Sequence, residues 1–571
     1  MSKNTKLELT WIGKDKRPRL EPRVLIEDPS KSYHASVRHG DKDIFDNMLI
    51  HGDNLLALKA LEQEFAGLIK CICIDPPFNT GAAFEHYDDG LEHSIWLGLM
   101  RERFMMFHTL LKEEGSLIVI LDDSEASYCK VVLDEIFGRG NYVNEIINAT
   151  NKAFGFKSTA NGIFKQANHI LLYAKDKSKF KLNAEKLFVE KSYDPQYKYV
   201  FDDLTKEESK RTWSRVVDVV AREEGFENAK QAKDVLGEDE FEQKVSLFAL
   251  DHANAVFRTA AVSGGAFLKR KGTIKISKLL RNQIVRHPND DMDYMFIAGE
   301  RVIPYSDRLK MIDGMLLPGE LITDLWTDIS VEGLATEGGV DFPKGKKPER
   351  LIERLLGLVT SQGDVVLDSF LGSGTTAAVA HKMRRRWIGV ELGKHCYTHC
   401  LPRLKNVIDG KDGSGITKAV KWQGGGGFRF YELAPTLIKE DSFGQKIINP
   451  QYDPEKLAEA VCKLEGFTYA PSETEYFIHG HSTEHDFIYV TTNYLKTEHL
   501  QALSELVGDE RTLLICCKGF KSESKFTNLT VKKIPKAVLD RCEYGHDDYS
   551  LNVKNLPMAE QEPEQGEWDF E

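Results

Sequence analysis

The apolar run Leu68-Ile69-Lys70-Cys71-Ile72-Cys73-Ile74 stops at Asp75-Pro76-Pro77-Phe78. Proline lacks the N–H that a ladder needs and fixes φ, so this β-branched stretch reads as a buried strand whose carboxyl end must leave the sheet. The resulting turn is rigid and presents one carboxylate, uncommitted backbone carbonyls and one aromatic face. Acceptors for two N–H bonds beside a ring for stacking are what an exocyclic amino group on a planar base requires.

A second segment reads as strand, glycine loop and helix: Val365-Val366-Leu367-Asp368-Ser369-Phe370-Leu371-Gly372-Ser373-Gly374-Thr375-Thr376, continued by Ala377 to Lys382. The glycines let a ligand approach the backbone, and Thr375 or Thr376 stands near the helix start. A dinucleotide fingerprint would place its third glycine at position 377, which is Ala377. Alanine is sometimes accepted there, so the spacing admits a nicotinamide dinucleotide and equally a nucleoside cofactor with little phosphate to cradle. Glu391 ends the next strand, Trp387 to Val390, at the distance where an acid holds ribose hydroxyls.

At 571 residues the chain should hold about three domains. Its nine cysteines form no C-x-x-C pair, which argues against disulfides and a zinc site. No metal is expected. Cys71 and Cys73 alternate with isoleucines and read as core. Met1-Ser2-Lys3-Asn4-Thr5 is polar, unlike a signal peptide, and no run approaches eighteen apolar residues, so a cytoplasmic protein without a membrane partner is expected. The net charge is −12, yet Ala261 to Asn289 holds seven basic residues and no acid: Lys269, Arg270, Lys271, Lys275, Lys278, Arg281 and Arg286. Such a segment suits phosphate, because overall charge is not the charge of one face.

The patterning predicts an α/β chain. Residues 1–45 read as a polar leader in which Pro18, Pro22 and Pro29 discourage long helices, and 46–176 alternate strand and helix. Residues 177–320 lose that alternation and carry a charged helical stretch followed by the basic segment; 321–423 resume it and complete the sheet. Gly424 to Gly427 marks a linker or a tight crossing, 424–555 reads as a separate mixed domain, and 556–571 as an acidic disordered tail.

Together the two motifs resemble those of the β-class amino-methylating DNA methyltransferases, and most nearly the modification (Mod) subunit of type III restriction-modification systems. His51-Gly52-Asp53-Asn54-Leu55, Asn79-Thr80-Gly81, Asn168 to Lys175, Leu325 to Ile329 and Lys347-Pro348-Glu349 extend the likeness over most of residues 45–410. The resemblance implies a Rossmann-like S-adenosylmethionine-dependent methyltransferase sheet in circularly permuted motif order, with a target-recognition domain inserted at 177–320. It implies S-adenosyl-L-methionine as cofactor, with Phe370, Gly372 and Gly374 around its methionine portion, Glu391 at its ribose and Asp53 at its adenine amino group. Asp368 would anchor the cofactor end of the strand, and Lys347 or Thr375 would assist at the methionine carboxylate.

The same likeness makes Asp75, Pro76, Pro77 and Phe78 the catalytic segment for methylating adenine N6 in duplex DNA at specific sites. Phe78 replaces the family's usual tyrosine, and stacking needs only the ring face. Asp75 favours adenine, since cytosine-N4 enzymes more often carry serine there. None of the nine cysteines follows a proline, the context of a cytosine-C5 nucleophile. The alternatives are a cytosine-N4 methyltransferase and a noncatalytic DNA-recognition subunit that recruits a nuclease. A nicotinamide oxidoreductase would give the Asp-Pro-Pro-Phe turn no role. Double-stranded DNA, a second copy of the chain and a helicase-nuclease restriction subunit are the implied partners.

Overall fold

The computed structural model describes residues 8–15, 17–77, 89–150, 166–288, 294–312, 314–342, 345–440, 442, 445–534, 536, 538, 542–545 and 547–549. By contact the chain divides into two units, Met1–Lys181 with Asp324–Glu571, and Leu182–Thr323.

The first unit is built on an eleven-stranded sheet. Its strands are β1 (Leu25–Glu27), β2 (Tyr33–His34), β3 (Asn47–His51), β4 (Ile69–Ile74), β5 (Leu111–Leu121), β6 (Tyr142–Ala149), β7 (Ala167–Ala174), β8 (Leu325–Trp326), β9 (Val365–Asp368), β10 (Arg386–Glu391) and β11 (Gly427–Leu433). Their order is β1-β11-β3-β10-β9-β4-β5-β7-β6-β8, with β2 also on β11. From β11 to β5 every neighbour is parallel; β7 runs antiparallel to both β5 and β6. Its helices include α1 (Asn54–Phe65), α2 (Asp89–Leu110), α3 (Ala126–Leu133), α4 (Glu349–Val359), α5 (Thr375–Lys382) and α6 (Leu401–Ile408).

Parallel central strands are buried on both faces and so read as continuous apolar runs. Ile72 and Ile74 join residues of α1, α2 and α3 in one core. Cys71 and Cys73 point the other way by the pleat and are equally buried. All nine cysteines are buried and none is joined in a disulfide. Asp53 caps α1, its Oδ1 accepting from the Leu55 and Leu56 N–H groups at 2.9 and 3.1 Å.

Two expected boundaries do not fall where the composition suggested. The 1–45 leader supplies β1 and β2, both antiparallel to β11. Strand β11, expected to open a separate 424–555 domain, lies inside the sheet between β1 and β3. The glycines before it form a close crossing: a Cβ on Gly426 (φ +75°) would lie 2.6 Å from the Ile44 carbonyl oxygen, and one on Gly424 (φ +106°) 2.9 Å from that of Ile408. Residues beyond β11 add a five-stranded sheet that includes Asp486–Leu495, Thr512–Phe520 and Leu529–Lys533 in parallel. The tail from 551 on lies outside the described residues.

The second unit carries a six-stranded antiparallel sheet and the helices Val216–Glu223, Ala229–Leu236, Glu238–Asp251 and Gly264–Leu279. The charged stretch expected to be helical thus also contributes strands Trp213–Arg215 and Val256–Ala260, whose Val256 and Phe257 are core residues. No helix among the described residues is long and apolar enough to cross a membrane.

Asn47, fully buried at the start of β3, ties together strands that lie far apart in sequence. Its Oδ1 accepts from the Trp387 N–H at 2.8 Å and its Nδ2 donates to the Gly427 carbonyl at 2.7 Å. Asn47→Ala leaves both backbone groups buried and unpaired, at roughly 1–3 kcal/mol each. Urea unfolding should show a loss of about 2–4 kcal/mol; a loss below about 0.5 kcal/mol would mean that the seam does not depend on this side chain.

Candidate active site

Strands β4 and β9 are neighbours, with Cys71 opposite Val366 and Ile72 opposite Leu367. Their carboxyl ends therefore deliver Asp75 and the glycine loop to one edge of the sheet, where open α/β sheets bind ligands. A cavity of about 410 Å³ opens there. Among its lining residues are Asp75, Pro76, Asp368, Phe370, Gly372 and Glu391.

Asp75 has one oxygen committed and one not. Its Oδ2 accepts from Lys347 Nζ at 2.6 Å. Its Oδ1 is shielded from solvent and has no hydrogen-bond partner among the described residues, although the side chain as a whole is 23% exposed. Burial pushes the Asp75 carboxyl above the usual carboxylate range, and the Lys347 ammonium opposes that rise. Trp96 Nε1 donates to the Pro77 carbonyl at 3.0 Å and fixes the turn after Pro76. Phe78 lies outside the described residues.

The glycine loop is held from both sides. Asp368 Oδ1 accepts from the Phe370 N–H at 2.9 Å, and burial pushes the Asp368 carboxyl up to about 7. Glu391 Oε2 accepts from the Gly372 N–H at 2.7 Å, while its Oε1 accepts from the Gly393 N–H at 2.8 Å. Gly372 (φ +56°) and Gly374 (φ +82°) both need the left-handed region, and Gly374 caps α5. Ser369 Oγ, also on the cavity wall, is buried without a partner among the described residues. Thr375 Oγ1 accepts from Arg403 Nη1 at 2.8 Å.

Two expected cofactor contacts are otherwise engaged. Asp53 does not line the cavity: Oδ1 accepts from the N–H groups at the start of α1 and Oδ2 from the distant Tyr549 N–H at 2.8 Å, so backbone donors occupy both oxygens. Lys347 lines the cavity but gives Nζ to Asp75, since a shielded ammonium and a shielded carboxylate each need an opposite charge. The sequence reading missed Asn54, Trp96, Arg103, Phe342 and His395, all on the cavity wall. His395 Nε2 pairs with Glu391 Oε1 at 2.8 Å, which raises the imidazole's pKa. Asn54 follows Asp53 in a motif already singled out; the other four carry no local signal.

In the second unit the seven basic residues separate into kinds. Lys269, Lys271, Lys275 and Lys278 are exposed on the helix Gly264–Leu279, and Arg281 is exposed just beyond it. Arg270 does not face phosphate: it is 3% exposed and lies over the Tyr294 ring at 3.7 Å, since its helical position turns it inward. Arg286 is engaged by Glu208. Among the described residues no group of three or more His, Cys, Asp or Glu could hold a metal ion.

The DNA methylase family profile matches residues 69–400. A Haemophilus influenzae protein described as a probable type III restriction-modification enzyme HindVI Mod subunit is 33% identical over 70% of this chain and 55% of its own length. The type III restriction-modification enzyme EcoP15I Mod subunit of Escherichia coli is 24% identical over 78% of this chain and 76% of its own length. The chain thus spans little more than half of the first relative. A solved M1.HpyAVI–SAM complex aligns at 16% identity over 62% of this chain and 98% of the other, with a TM-score of 0.29.

Lys347 favours the ionised form of Asp75, so Lys347→Met removes stabilisation of the carboxylate and must raise its pKa further. Titration of carbon-13-labelled aspartate by NMR should show the Asp75 midpoint moving to higher pH in the variant. A midpoint that stays put or falls would show that the 2.6 Å contact is not an ion pair in solution.

Proposed function

This chain belongs to the DNA methylase family, and from that premise we propose that it transfers a methyl group from S-adenosylmethionine to adenine N6 in duplex DNA, as the modification subunit of a type III restriction-modification system. The observation that carries the reading is a cavity in which an uncommitted Asp75 oxygen meets a cofactor-type glycine loop.

The residues present fit the cofactor. Phe370 and Gly372 would border its methionine portion, Glu391 would take the ribose hydroxyls, and Phe342 and His395 would stand beside the nucleoside. When bound, S-adenosylmethionine supplies an electrophilic methyl on a sulfonium. Everything else falls to the protein. Adenine N6 is a poor nucleophile because its lone pair is delocalised into the ring. Asp75 Oδ1 and a turn carbonyl would accept its two N–H bonds and favour the pyramidal nitrogen that attacks in line. Asp75 or water then takes the proton released from the methylated nitrogen. The amine is unreachable inside a duplex, so the base must be flipped, at a cost of a few kcal/mol that stacking on Phe78 would offset in part.

Asp75 supports adenine over cytosine N4. The exposed lysines of the second unit support a phosphate contact, which makes that unit the proposed target-recognition domain. Similarity to proteins described as Mod subunits supports a separate restriction subunit as partner, and a second copy of this chain completes the proposed assembly.

Single-molecule sequencing of DNA from cells expressing this chain alone should reveal N6-methyladenine at one sequence. N4-methylcytosine would move the assignment to the cytosine enzymes, and unmodified DNA would favour the noncatalytic reading. In purified protein, Asp75→Ala should lower kcat by about 10²–10³-fold, the cost of losing a preorganised acceptor. Its affinity for S-adenosylhomocysteine should stay within a few-fold. Equal losses of both would make Asp75 structural.

The recognition helix is tested by salt. Replacing Lys269, Lys271 and Lys275 with serine should flatten the dependence of log K on log salt, by up to about 0.9 for each phosphate no longer neutralised, on all sequences alike. An unchanged slope would place the DNA-binding face elsewhere.

A further inference from the structure

Asp53 and Arg103 are both almost wholly buried beside the cavity, and they do not satisfy one another: Arg103 Nη2 stands 3.8 Å from Asp53 Oδ2. The backbone of Tyr549 fills that gap. Its N–H donates to Asp53 Oδ2 at 2.8 Å, and its carbonyl accepts from Arg103 Nη2 at 3.0 Å. The segment that brings Tyr549 there is itself tied down. Arg23 Nη2 pairs with Asp547 Oδ1 at 2.8 Å, the Gly545 N–H donates to Thr436 Oγ1 at 2.9 Å, and the Glu543 N–H donates to the Arg19 carbonyl at 2.8 Å.

From Tyr549 the bonds run on into the glycine loop. Arg103 Nε donates to Asn54 Oδ1 at 2.6 Å, and Asn54 Nδ2 donates to the Ser369 carbonyl at 2.8 Å. Asn54, Arg103 and Ser369 all line the cavity. Burial works against the Arg103 charge, with Asp53 and then Asp548 restoring it. A guanidinium so placed has few ways to turn: Leu99 O, Asn54 Oδ1 and Tyr549 O each take one of its donors.

We propose that the Asp547–Tyr549 segment is part of the cofactor site, positioning the Ser369–Gly372 loop through Arg103 and Asn54, so that cofactor affinity depends on a stretch far along the chain from either motif. Tyr549, Arg103 and Asn54 are positioning residues in this arrangement. The identity of the ligand rests on the methyltransferase reading; the relay of hydrogen bonds does not.

The test uses the full chain. Tyr549→Pro removes the N–H given to Asp53, whereas Tyr549→Phe keeps both backbone bonds. Without ligand, hydrogen exchange at Ser369–Gly372 should quicken about tenfold in Tyr549→Pro, a change matching one lost hydrogen bond to a charged group. Tyr549→Phe should exchange as slowly as the parent chain. S-adenosylhomocysteine affinity, measured by calorimetry, should fall about tenfold in Tyr549→Pro with DNA affinity unchanged. Asn54→Ala should weaken it similarly, and the double variant should lose little more than either single one. Unaltered loop exchange in Tyr549→Pro, or fully additive losses in the double variant, would overturn the proposal. A parent chain that binds no S-adenosylhomocysteine would refute the methyltransferase reading, and the exchange comparison would then decide the relay by itself.

Discussion

The parallel pairing of β4 with β9 is the constraint on which the site depends. Cys71 faces Val366 and Ile72 faces Leu367 across two segments separated by about half of the chain. Because side chains alternate along a strand, a slip of one residue would send Asp368 to the opposite face of the sheet and pull the glycine loop away from Asp75. The register is secured by burial on both sides: Ile72 and Leu367 join the core under α1 to α3, while Cys71 and Val366 are buried on the other face. Chemistry at the strand ends thus inherits its geometry from hydrophobic residues that never touch a ligand.

A second constraint is ionic. Glu349, two residues after Lys347, accepts from Lys382 Nζ at 2.7 Å and from Arg403 Nη2 at 2.8 Å, and Lys382 also gives to Asp412 Oδ2 at 2.7 Å. All four are essentially removed from solvent. Breaking one member of such a buried group typically costs about 3–5 kcal/mol, because the remaining charge is stranded. Since Arg403 also holds Thr375 at the start of α5, the cluster locks the segment carrying Lys347 to the helix that follows the glycine loop. Together with Asn54 on Ser369 O and Glu391 on the Gly372 N–H, it leaves the loop few degrees of freedom.

What the sequence disclosed was whatever local chemistry dictates. The strand before Asp75 was visible in its β-branched run and its prolines, and the loop in its glycines and flanking strand. Burial of charge was not visible. Lys382 and Arg386 sit in one basic run, yet Lys382 is enclosed by acids while Arg386 reaches Asp46 at the surface. Arg270 lies between two exposed lysines and turns inward onto Tyr294. Asp53 looked like a ligand contact because its neighbours match a motif, but helix capping and the Tyr549 N–H use its oxygens. Strand β11 was hidden for a related reason: in a linear reading four glycines suit a linker or a tight crossing equally, and the closeness of Ile44 and Ile408 decides for the crossing.

That crossing has a consequence for the order of synthesis. On the ribosome Asp75 emerges before β9, and β9 before β11, although β11 sits beside β3, which precedes Asp75. At about 5–20 residues per second, roughly 20 to 75 seconds separates the translation of β3 from that of β11. During that interval β3 waits with an unpaired edge, and the early strands must be kept from other partners. A nascent chain is therefore most exposed to mispairing while its early strands await the late ones, and slow translation near β11 would lengthen the hazard rather than relieve it.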